Sequence, residues 1–320
     1  MDNLTLKPND RVLILGGTGF IGKRLVHGLT TKNIKLRLLV RNPSKISAAI
    51  LNNKDIEIVK GDIVKGDGLK NAFRGIHTAY YLVHSMGGKS IFKNTEFARM
   101  DKDAAENFIN TADAAGVKRV IYLGGLGETG KDLSEHLRSR EEVAEILASG
   151  KLKATILRAA VIIGAKGASY VMLKYLVERL PVMICPKWID TKIQPIAVKD
   201  VLAYLTGCLL NPDTAGKKFD IGGPDVLTYR EMMHQYTDAI GIPRRIIFRI
   251  PILSPRLAAY WVDLMTPIPS GIAHPLIEGL KNEVVCLDDR ITEYIPIERT
   301  PFKVAVKIAV SEKVKSASPP

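Results

Sequence analysis

Glycines near the start of the chain have the spacing that phosphate binding requires. Gly16, Gly19 and Gly22 follow the apolar run Arg11–Leu15 and precede a segment with helical apolar spacing. In such a unit the first glycine permits a tight turn, the second lets the backbone approach a pyrophosphate, and the third lets the helix pack on the strand. The alternative is a glycine-rich turn without a ligand. We predict a dinucleotide-binding loop with contacts from Gly16, Thr18, Gly19, Phe20, Ile21 and Gly22.

The residue after the second predicted strand distinguishes two forms of such a ligand. An acidic residue at this point holds the ribose 2′-hydroxyl of NAD. Here Arg41 follows Val40, and no Asp or Glu is present at the strand end. A guanidinium suits a 2′-phosphate by charge and bidentate geometry, with Ser44 and Lys45 as assisting groups. The sequence predicts NADP, with NADPH preferred over NADH; the alternative is a surface arginine before a helix begun by Pro43.

Side chains after the third and fourth predicted strands belong to the same edge of the sheet, where ligands of parallel sheets bind. Asp62, followed by Ile63, is placed either to accept a hydrogen bond from an adenine amino group or to cap the next turn. We include both residues among the predicted cofactor contacts. The loop after the fourth strand adds contacts to the nicotinamide half of the cofactor and, at its last residue, to the substrate: Val83, His84, Ser85 and Met86.

Composition excludes several other classes of protein. The 320 residues are 46% hydrophobic and 25% charged, which is typical of a globular chain. The longest apolar runs are too short to cross a bilayer, and the first ten residues lack the apolar segment of a secretory signal. Three dispersed cysteines argue against a disulfide framework, and the histidine spacing predicts no metal site. We therefore expect a cytoplasmic location.

The net charge of +13 raises the question of an anionic partner. No basic run with interleaved aromatic residues occurs, so nucleic acid is not predicted. A small-molecule substrate is expected. Tyr260, Trp261 and Met265 lie at helical spacing in an apolar segment. That segment is interpreted as core packing, with an exposed rim for a membrane or a lipophilic substrate as the alternative.

The elements that must position these residues alternate regularly over the first half of the chain. Continuous apolar strands separated by amphipathic helices predict an α/β fold with a doubly wound parallel sheet covered on both faces. We assign residues 1–165 to this dinucleotide-binding domain, with late strands at about 194–222 joining its sheet. Residues 166–310 are predicted to form a small, mostly helical lobe on the substrate side, and residues 311–320 a flexible tail.

Blocks distributed over residues 8–290 resemble the atypical, NmrA-like branch of the short-chain dehydrogenase/reductase superfamily. They include GGTGFIG, VRNPSK, YYLVHSM, YLGGLG, HLRSREEV, LRAAVIIG, QPIAVKDVLAYL and FDIGGPDVLTYREM. The sequence is most similar to members named nucleoside-diphosphate-sugar epimerase-like, and more distantly to the NADPH-binding accessory subunit of respiratory complex I. The resemblance implies a Rossmann fold and NAD(P) binding.

The catalytic positions depart from the family pattern, which has a Ser after strand five and then Tyr-x-x-x-Lys. Here the strand ends in Gly124-Gly125, and the next helix offers His136 and Arg140. These two residues share a helix face, so we predict them as proton donor and ribose contact; a solvent-facing polar turn is the alternative. The predicted substrate pocket contains Met86, Gly124 and Gly125, with Arg158 at the end of the sixth strand and Tyr170 in the following helix. Tyr170 begins a late Tyr-x-x-x-Lys, for which a chance match is the alternative.

Three functions are compatible with these residues. The first is an NADPH-dependent oxidoreductase acting on a carbonyl, quinone or enone, with hydride supplied by the cofactor. The second is an NADPH-binding sensor or assembly subunit without catalysis, as the missing Ser and Tyr suggest. The third is a sugar-nucleotide epimerase or dehydratase, which the missing tyrosine disfavours because that chemistry needs a strong base.

Overall fold

A computed structural model describes residues 4–84, 94–127, 135–250, 265–269, 272–273, 277, 279 and 282–317. The side chains of some terminal helix and loop residues, including Lys45 and His136, are outside this description. The strands, in chain order, are β1 (Arg11–Leu15), β2 (Lys35–Val40), β3 (Ile56–Lys60), β4 (Ile76–Tyr81), β5 (Arg119–Gly125), β6 (Lys153–Ala159), β7 (Ile162–Ile163), β8 (Val182–Pro186), β9 (Lys192–Ile193), β10 (Ile196–Ala197), β11 (Lys218–Ile221), β12 (Leu227–Thr228) and β13 (Ile246–Ile250).

Helices cover both faces of the sheet, and short 3-10 turns connect some of them. The α-helices are α1 (Phe20–Thr30), α2 (Ala48–Leu51), α3 (Leu69–Phe73), α4 (Asn94–Ala115), α5 (Glu135–Ala148), α6 (Ala168–Arg179), α7 (Val198–Leu210), α8 (Tyr229–Ile240), α9 (Ile291–Tyr294) and α10 (Phe302–Ala317).

Seven strands of the described chain form one parallel sheet in the order β11-β6-β5-β4-β1-β2-β3. The central strands are continuous apolar runs, and Val12, Leu13, Ile14 and Leu15 of β1 are almost completely buried because helices pack on both faces. The strands after β1 extend in two directions, with β2 and β3 on one side of it and β4, β5 and β6 on the other. This change of direction leaves a crevice at the carboxyl ends of β1 and β4. The predicted doubly wound fold is confirmed.

Two arginines buried in this domain act as structural caps. The guanidinium of Arg37 donates to the carbonyl oxygens of Asn71, Ala72 and Arg74 and pairs with Glu57. Arg119 in β5 is fully buried and likewise donates to main-chain carbonyls at the end of α7, including that of Cys208 at 2.7 Å. Buried cations need such partners, so these side chains fix helix ends and are not ligand-binding groups.

The second half of the chain adds one strand to the main sheet and three small sheets. Strand β11 pairs with β6, whereas the strand predicted near 194–198 forms β10 and pairs with β7 outside the main sheet. Strand β9 pairs with β12, and β8 pairs with β13. A core of its own, separate from the two cores of the main sheet, joins α6, α8, α10 and these small sheets.

The C-terminal boundary also differs from the sequence prediction. Helix α10 continues to Ala317, so most of the segment predicted as a tail is helical, and residues 318–320 are outside the described chain. The apolar segment containing Tyr260 and Trp261 is also outside it. Within the described residues, no helix is long and apolar enough to span a bilayer, and no group of three or more potential ligands could hold a metal ion.

Candidate functional site

The glycine loop between β1 and α1 is built so closely that side chains are excluded. Gly16 has φ of +82°, and its carbonyl accepts the Gly19 N–H at 2.9 Å. A Cβ on Gly16 would lie 2.4 Å from the Leu82 carbonyl oxygen, and one on Gly22 would lie 2.1 Å from the Gly16 oxygen. Both distances are far below van der Waals contact. The loop therefore requires glycine at these two positions, as the predicted phosphate-binding turn does.

The start of helix α1 offers hydrogen-bond donors to an anion. Its N-cap is Gly19, which provides no side-chain cap, and its first turn has no acidic residue. Thr18 and Gly19 are exposed, and the helix points its N-terminus into the crevice beside β4. Uncapped N–H groups and the helix dipole together stabilise a phosphate at such a position.

Phe20 and Ile21, both half-buried, begin α1 and connect the loop to the second half of the chain. A Cβ on Gly164 or Gly167 would lie 3.1 or 2.9 Å from the Phe20 ring, so this ring packs directly on the turn between β7 and α6. The Arg24 guanidinium lies 4.7 Å from the centre of the same ring. The nucleotide loop is thus held against the element that begins the substrate-side lobe.

Arg41 lies immediately after β2, one strand away from the glycine loop, and its side chain is exposed. The turn that follows is organised by Asn42, whose Oδ1 accepts the main-chain N–H and the hydroxyl of Ser44 at 3.1 and 2.7 Å. Lys45 belongs to the same turn. The guanidinium is thus exposed at the carboxyl end of β2, and its role toward a 2′-phosphate stays a prediction.

The predicted contacts after β3 and β4 have different surroundings. Asp62 Oδ1 accepts the Val64 N–H at 2.9 Å, which is the turn-capping role that the sequence left open; its role toward adenine stays a prediction. The Ile63 side chain is buried in the core beneath the sheet. Val83 and His84 are half-buried at the end of β4, while Ser85 and Met86 are outside the described residues.

Where β5 packs against α5, the structure buries the hydroxyl of Tyr122, a residue that was not among the predicted site residues. The Tyr122 hydroxyl donates to the Arg140 carbonyl oxygen at 3.3 Å, and its ring lies 6.1 Å from that of His84. Burial raises the pKa of Tyr122 to about 12, so the phenol is protonated at neutral pH. A Cβ on Gly124 would lie 2.7 Å from this ring, so that glycine makes room for the ring within the strand.

Arg140, one of the two predicted catalytic residues, is on the buried face of α5 against β5. A Cβ on Gly125 would lie 3.6 Å from Arg140 Cγ and 3.2 Å from Leu137 Cδ2. The small residue at the strand end therefore lets α5 approach closely. His136 lies in the first turn of α5, one turn before Arg140, but its side chain is outside the described residues. The roles of these two residues stay predictions.

Arg158, predicted as a substrate contact, is engaged in an ion pair. Its Nε donates to Asp220 Oδ1 at 2.7 Å, directly across the β6–β11 pair, and the other oxygen of Asp220 accepts the Leu287 N–H at 3.1 Å. Asp220 is fully buried. The pair borders a small cavity of about 250 Å³ near Glu283, which shares Leu126 and Val284 with the wall of the large cavity described below.

Tyr170 and Lys174, the late Tyr-x-x-x-Lys of α6, have structural partners. Tyr170 is buried with its ring 6.2 Å from that of Tyr236, whose hydroxyl donates to Glu178 at 2.7 Å. Lys174 pairs with the same Glu178. Burial raises the pKa of Tyr170, so its phenol is neutral. The neutral phenol and its ordered neighbours indicate a packing role. Neither residue lines the large cavity.

A large apolar cavity of about 500 Å³ begins at the carboxyl ends of β5 and β6. Gly125, Leu126, Ala159 and Ala160 line it at the strand ends, so of the residues predicted for the substrate pocket Gly125 is part of it. These strands are two and three positions from β1 in the sheet, about 10 and 15 Å away at a spacing of ~4.8 Å per strand. The cavity and Arg41, at the end of β2, therefore lie on opposite sides of the glycine loop.

The rest of the cavity wall comes from elements that are distant in sequence. Helix α6, strand β8, the turn after it, and helix α8 contribute aliphatic, thioether and aromatic side chains, among them Met172, Leu173, Leu176, Met183, Trp188, Met232 and Met233. The sequence analysis did not identify these residues as a site because each of them reads as ordinary core packing. Only the packing of α6 against α8 creates the space between them.

No charged side chain occurs among the described residues that line this cavity. Cys185 and Tyr229 are its titratable groups there; burial raises the pKa of Cys185 to about 11 and that of Tyr229 well above its usual value. Both are neutral at physiological pH. The buried indole Nε1–H of Trp188 has no hydrogen-bond acceptor in the described part of the chain. The cavity thus suits an uncharged, largely apolar ligand.

Comparison with known proteins identifies a matching family and several related sequences. A family model described as NAD(P)H-binding matches residues 16–176. Subunit 9 of the NADH dehydrogenase 1 alpha subcomplex of Arabidopsis thaliana mitochondria is 25% identical over 273 residues, covering 83% of this chain and 67% of that protein. The ceramide reductase of Caulobacter vibrioides is 27% identical over 241 residues, covering 75% of this chain and 73% of the reductase.

Among solved structures, a nucleoside-diphosphate-sugar epimerase of Staphylococcus aureus has the same fold. It superposes with a TM-score of 0.74 at 17% identity, covering 93% of this chain and 99% of the epimerase. The predicted family is confirmed by these matches together with the glycine loop and the order of the sheet. This chain belongs to the NAD(P)H-binding family of atypical short-chain dehydrogenases/reductases.

Proposed function

We propose that this protein is an NADPH-dependent oxidoreductase that reduces the carbonyl, quinone or enone group of an uncharged, largely apolar substrate. The observation that carries the proposal is the large apolar cavity at the ends of β5 and β6, next to the expected nicotinamide position. An ionic substrate would leave its charged groups without partners on this wall. The similarity to a ceramide reductase agrees with a substrate of this class.

NADPH as the preferred form rests on Arg41. The exposed guanidinium after β2 is available to a 2′-phosphate, and no acidic side chain occupies the strand end to hold a free 2′-hydroxyl. Charge and fork geometry favour the phosphate over the hydroxyl. Ser44 donates both its hydroxyl and its main-chain N–H to Asn42 Oδ1, so a contact with the phosphate would require its hydroxyl to turn away from Asn42.

The protein's residues would then orient the two reactants and supply a proton. When bound, the cofactor supplies a hydride to the electrophilic carbon, and the substrate oxygen must gain a proton to become a hydroxyl. His136 on the first turn of α5 is the proposed donor, since imidazole titrates near neutral pH. Tyr122 is unsuited to that role, because its phenol is buried and its hydroxyl donates to the Arg140 carbonyl.

A second candidate, NADPH binding without turnover, is favoured by the residues at the family's catalytic positions. Gly124 and Gly125 have no hydroxyl, and Arg140 is buried on the inner face of α5. The similarity to a mitochondrial NADH dehydrogenase subunit is compatible with such a role. The epimerase alternative is weakened because a nucleotide sugar needs cations for its diphosphate, and the described cavity wall has none.

The test is NADPH consumption with a panel of apolar aldehydes, quinones and enones, using Gly22→Ala as the background control. We expect saturable oxidation of NADPH whose kcat/KM rises with the length of the substrate's alkyl chain. Tight NADPH binding by titration, with no oxidation above the control for any member of the panel, would overturn the reductase and favour the binding role. Conversion of a nucleotide sugar would overturn both.

A further inference from the structure

Strands β8 and β13 present an apolar face to solvent. They pair in parallel, with Val182 opposite Ile246 and Ile184 opposite Phe248. Because side chains alternate along a strand, these four residues share one face of the pair. They are 48%, 55%, 62% and 56% exposed, while Met183 on the opposite face is buried in the core. We call these four residues the β8–β13 face.

Such a face is unusual for a protein surface. Exposed positions of a strand are normally polar, and short sheets with free edges normally carry charges there. Nine large apolar side chains are exposed in the described part of the chain, and four of them are gathered on this face. A contiguous apolar patch of this kind marks an interaction surface.

Basic residues border the β8–β13 face. Lys187 directly follows β8 and is exposed, whereas the exposed Arg249 of β13 alternates onto the other face of the pair, opposite Cys185, and pairs with Asp190 at 3.2 Å. Over residues 178–190 and 244–250, five basic residues stand against two acidic ones, although Arg244 is paired with Asp238 at 2.8 Å; the net charge of the whole chain is +13. A surface of apolar side chains bordered by basic residues is complementary to an anionic lipid bilayer. The acyl chains accommodate the apolar side chains, and the headgroups attract the basic ones.

The β8–β13 face is also continuous with the large cavity. Val182 and Ile184 of this face, together with Ile250 at the end of β13, contribute to the cavity wall. Val182 and Ile184 are therefore both exposed and cavity-lining, which places the cavity mouth at this face. An apolar molecule dissolved in a bilayer would meet the cavity here without crossing water.

We infer that the β8–β13 face docks on the surface of an anionic membrane and sets the cavity mouth against the lipid. The inference goes beyond the proposed reduction, because docking requires neither cofactor nor turnover. A second copy of the chain is the other occupant that an exposed strand pair admits, and the experiment separates the two. Ile246 and Phe248 are suitable positions for substitution, since neither lines the described part of the cavity.

The first experiment measures binding to vesicles of phosphatidylglycerol and phosphatidylcholine by flotation. We expect the wild type to bind, and the double variant Ile246→Ser/Phe248→Ser to bind at least tenfold more weakly. The matched control is Leu51→Ser/Leu210→Ser, which removes two apolar residues of similar exposure, 51% and 53%, elsewhere on the surface; its binding should stay within twofold of wild type. Vesicles of phosphatidylcholine alone, or a rise in salt from about 0.05 to 0.5 M, should weaken wild-type binding at least tenfold.

A second experiment reads insertion directly and does not depend on loss of binding. Brominated lipids should quench the fluorescence of Phe248→Trp more strongly than that of Leu210→Trp, after subtraction of the wild-type signal. Unchanged NADPH affinity and thermal melting verify that each variant is folded. Absence of wild-type binding, equal binding by the two double variants, or equal quenching would overturn the inference. A concentration-dependent dimer that Ile246→Ser/Phe248→Ser dissociates, without vesicle binding, would instead assign the face to a second copy.

Discussion

The two ends of the crevice present different chemical groups, main-chain N–H groups at one end and apolar side chains at the other. At the nucleotide end, the contacts expected for the phosphates come from main-chain N–H groups, and side chains are excluded by Gly16 and Gly22. At the substrate end, the cavity wall consists of apolar side chains from α6, β8 and α8. Backbone geometry of this kind depends on one short segment, whereas the cavity depends on the packing of several. The difference explains why a cofactor is easier to infer than a substrate, and it predicts that substitutions at the two ends affect separate measurements.

The largest effect is expected for Gly22→Ala at the nucleotide end. Its new Cβ would lie 2.1 Å from the Gly16 oxygen, so α1 must move away from the loop. We expect NADPH affinity to fall by about 100-fold or more, the scale that a displacement of about 1 Å produces in a preorganised site. Isothermal titration calorimetry measures the change.

The control lies in the same helix. Gly28 is also a glycine of α1, but a Cβ there would have no atom within 4 Å. Gly28→Ala should keep NADPH affinity and raise stability by up to about 1 kcal/mol, because alanine is the better helix former. Equal losses of affinity for the two variants would contradict the role assigned to the loop.

Arg41→Ala should separate the two forms of the cofactor. Loss of charge-assisted hydrogen bonds worth about 1.5–3 kcal/mol weakens NADPH binding by roughly tenfold to hundredfold, while NADH binding should change by less than about twofold. Arg41→Lys should retain part of the NADPH preference, since it keeps the charge but loses the fork. Thermal-shift titration with each dinucleotide gives the measurement. Similar losses for both would remove the basis for the NADPH preference.

A change at the substrate end should leave the nucleotide end intact. Leu176→Trp adds volume to the cavity wall and should lower kcat/KM for an apolar substrate about tenfold, because overpacking of an apolar site costs about 1–3 kcal/mol. The NADPH dissociation constant should stay the same. Tyr175→Trp is the neighbouring control, since Tyr175 does not line the cavity and its ring lies under Arg179. Parallel changes in substrate and cofactor binding would show that the two ends are not independent.

The smallest effect concerns the core at the amino end of β5, at the edge of the sheet opposite the glycine loop, and appears at alkaline pH. Burial raises the pKa of Cys208 to about 12 from a reference value of 9.0. The folded state therefore retains the thiol proton after the unfolded chain has lost it, so this contribution to stability is complete below pH 9 and is lost as the pH rises toward 12. Between pH 8 and pH 10, the unfolding free energy of wild type should fall by about 1.4 kcal/mol more than that of Cys208→Ala. Urea unfolding at the two pH values measures this difference, and equal slopes would contradict it.

Much of the fold was predictable because its signals are local. The run Arg11–Leu15 was assigned as a strand with the bounds that β1 has, and the regular alternation of strands and helices gave the parallel sheet. The predictions failed or were silent where pairing partners are far apart in the chain. Strands β8 and β13 were not predicted, although Val182–Pro186 and Ile246–Ile250 are rich in β-branched residues, because each is short and bounded by a proline.

The sequence by itself determined the glycine loop, the crevice at the sheet's edge and the family, since these depend on residues within one strand–turn–helix unit and on its repetition. Tertiary structure decided which polar residues are free to act. It paired Arg158 with Asp220 and set Tyr170 against Tyr236, and it placed an apolar cavity between elements that the sequence presents as ordinary core. The physical reason is that a main-chain turn is fixed by the conformations of adjacent residues, whereas a side chain's partner and the space between helices are fixed by packing across the whole chain.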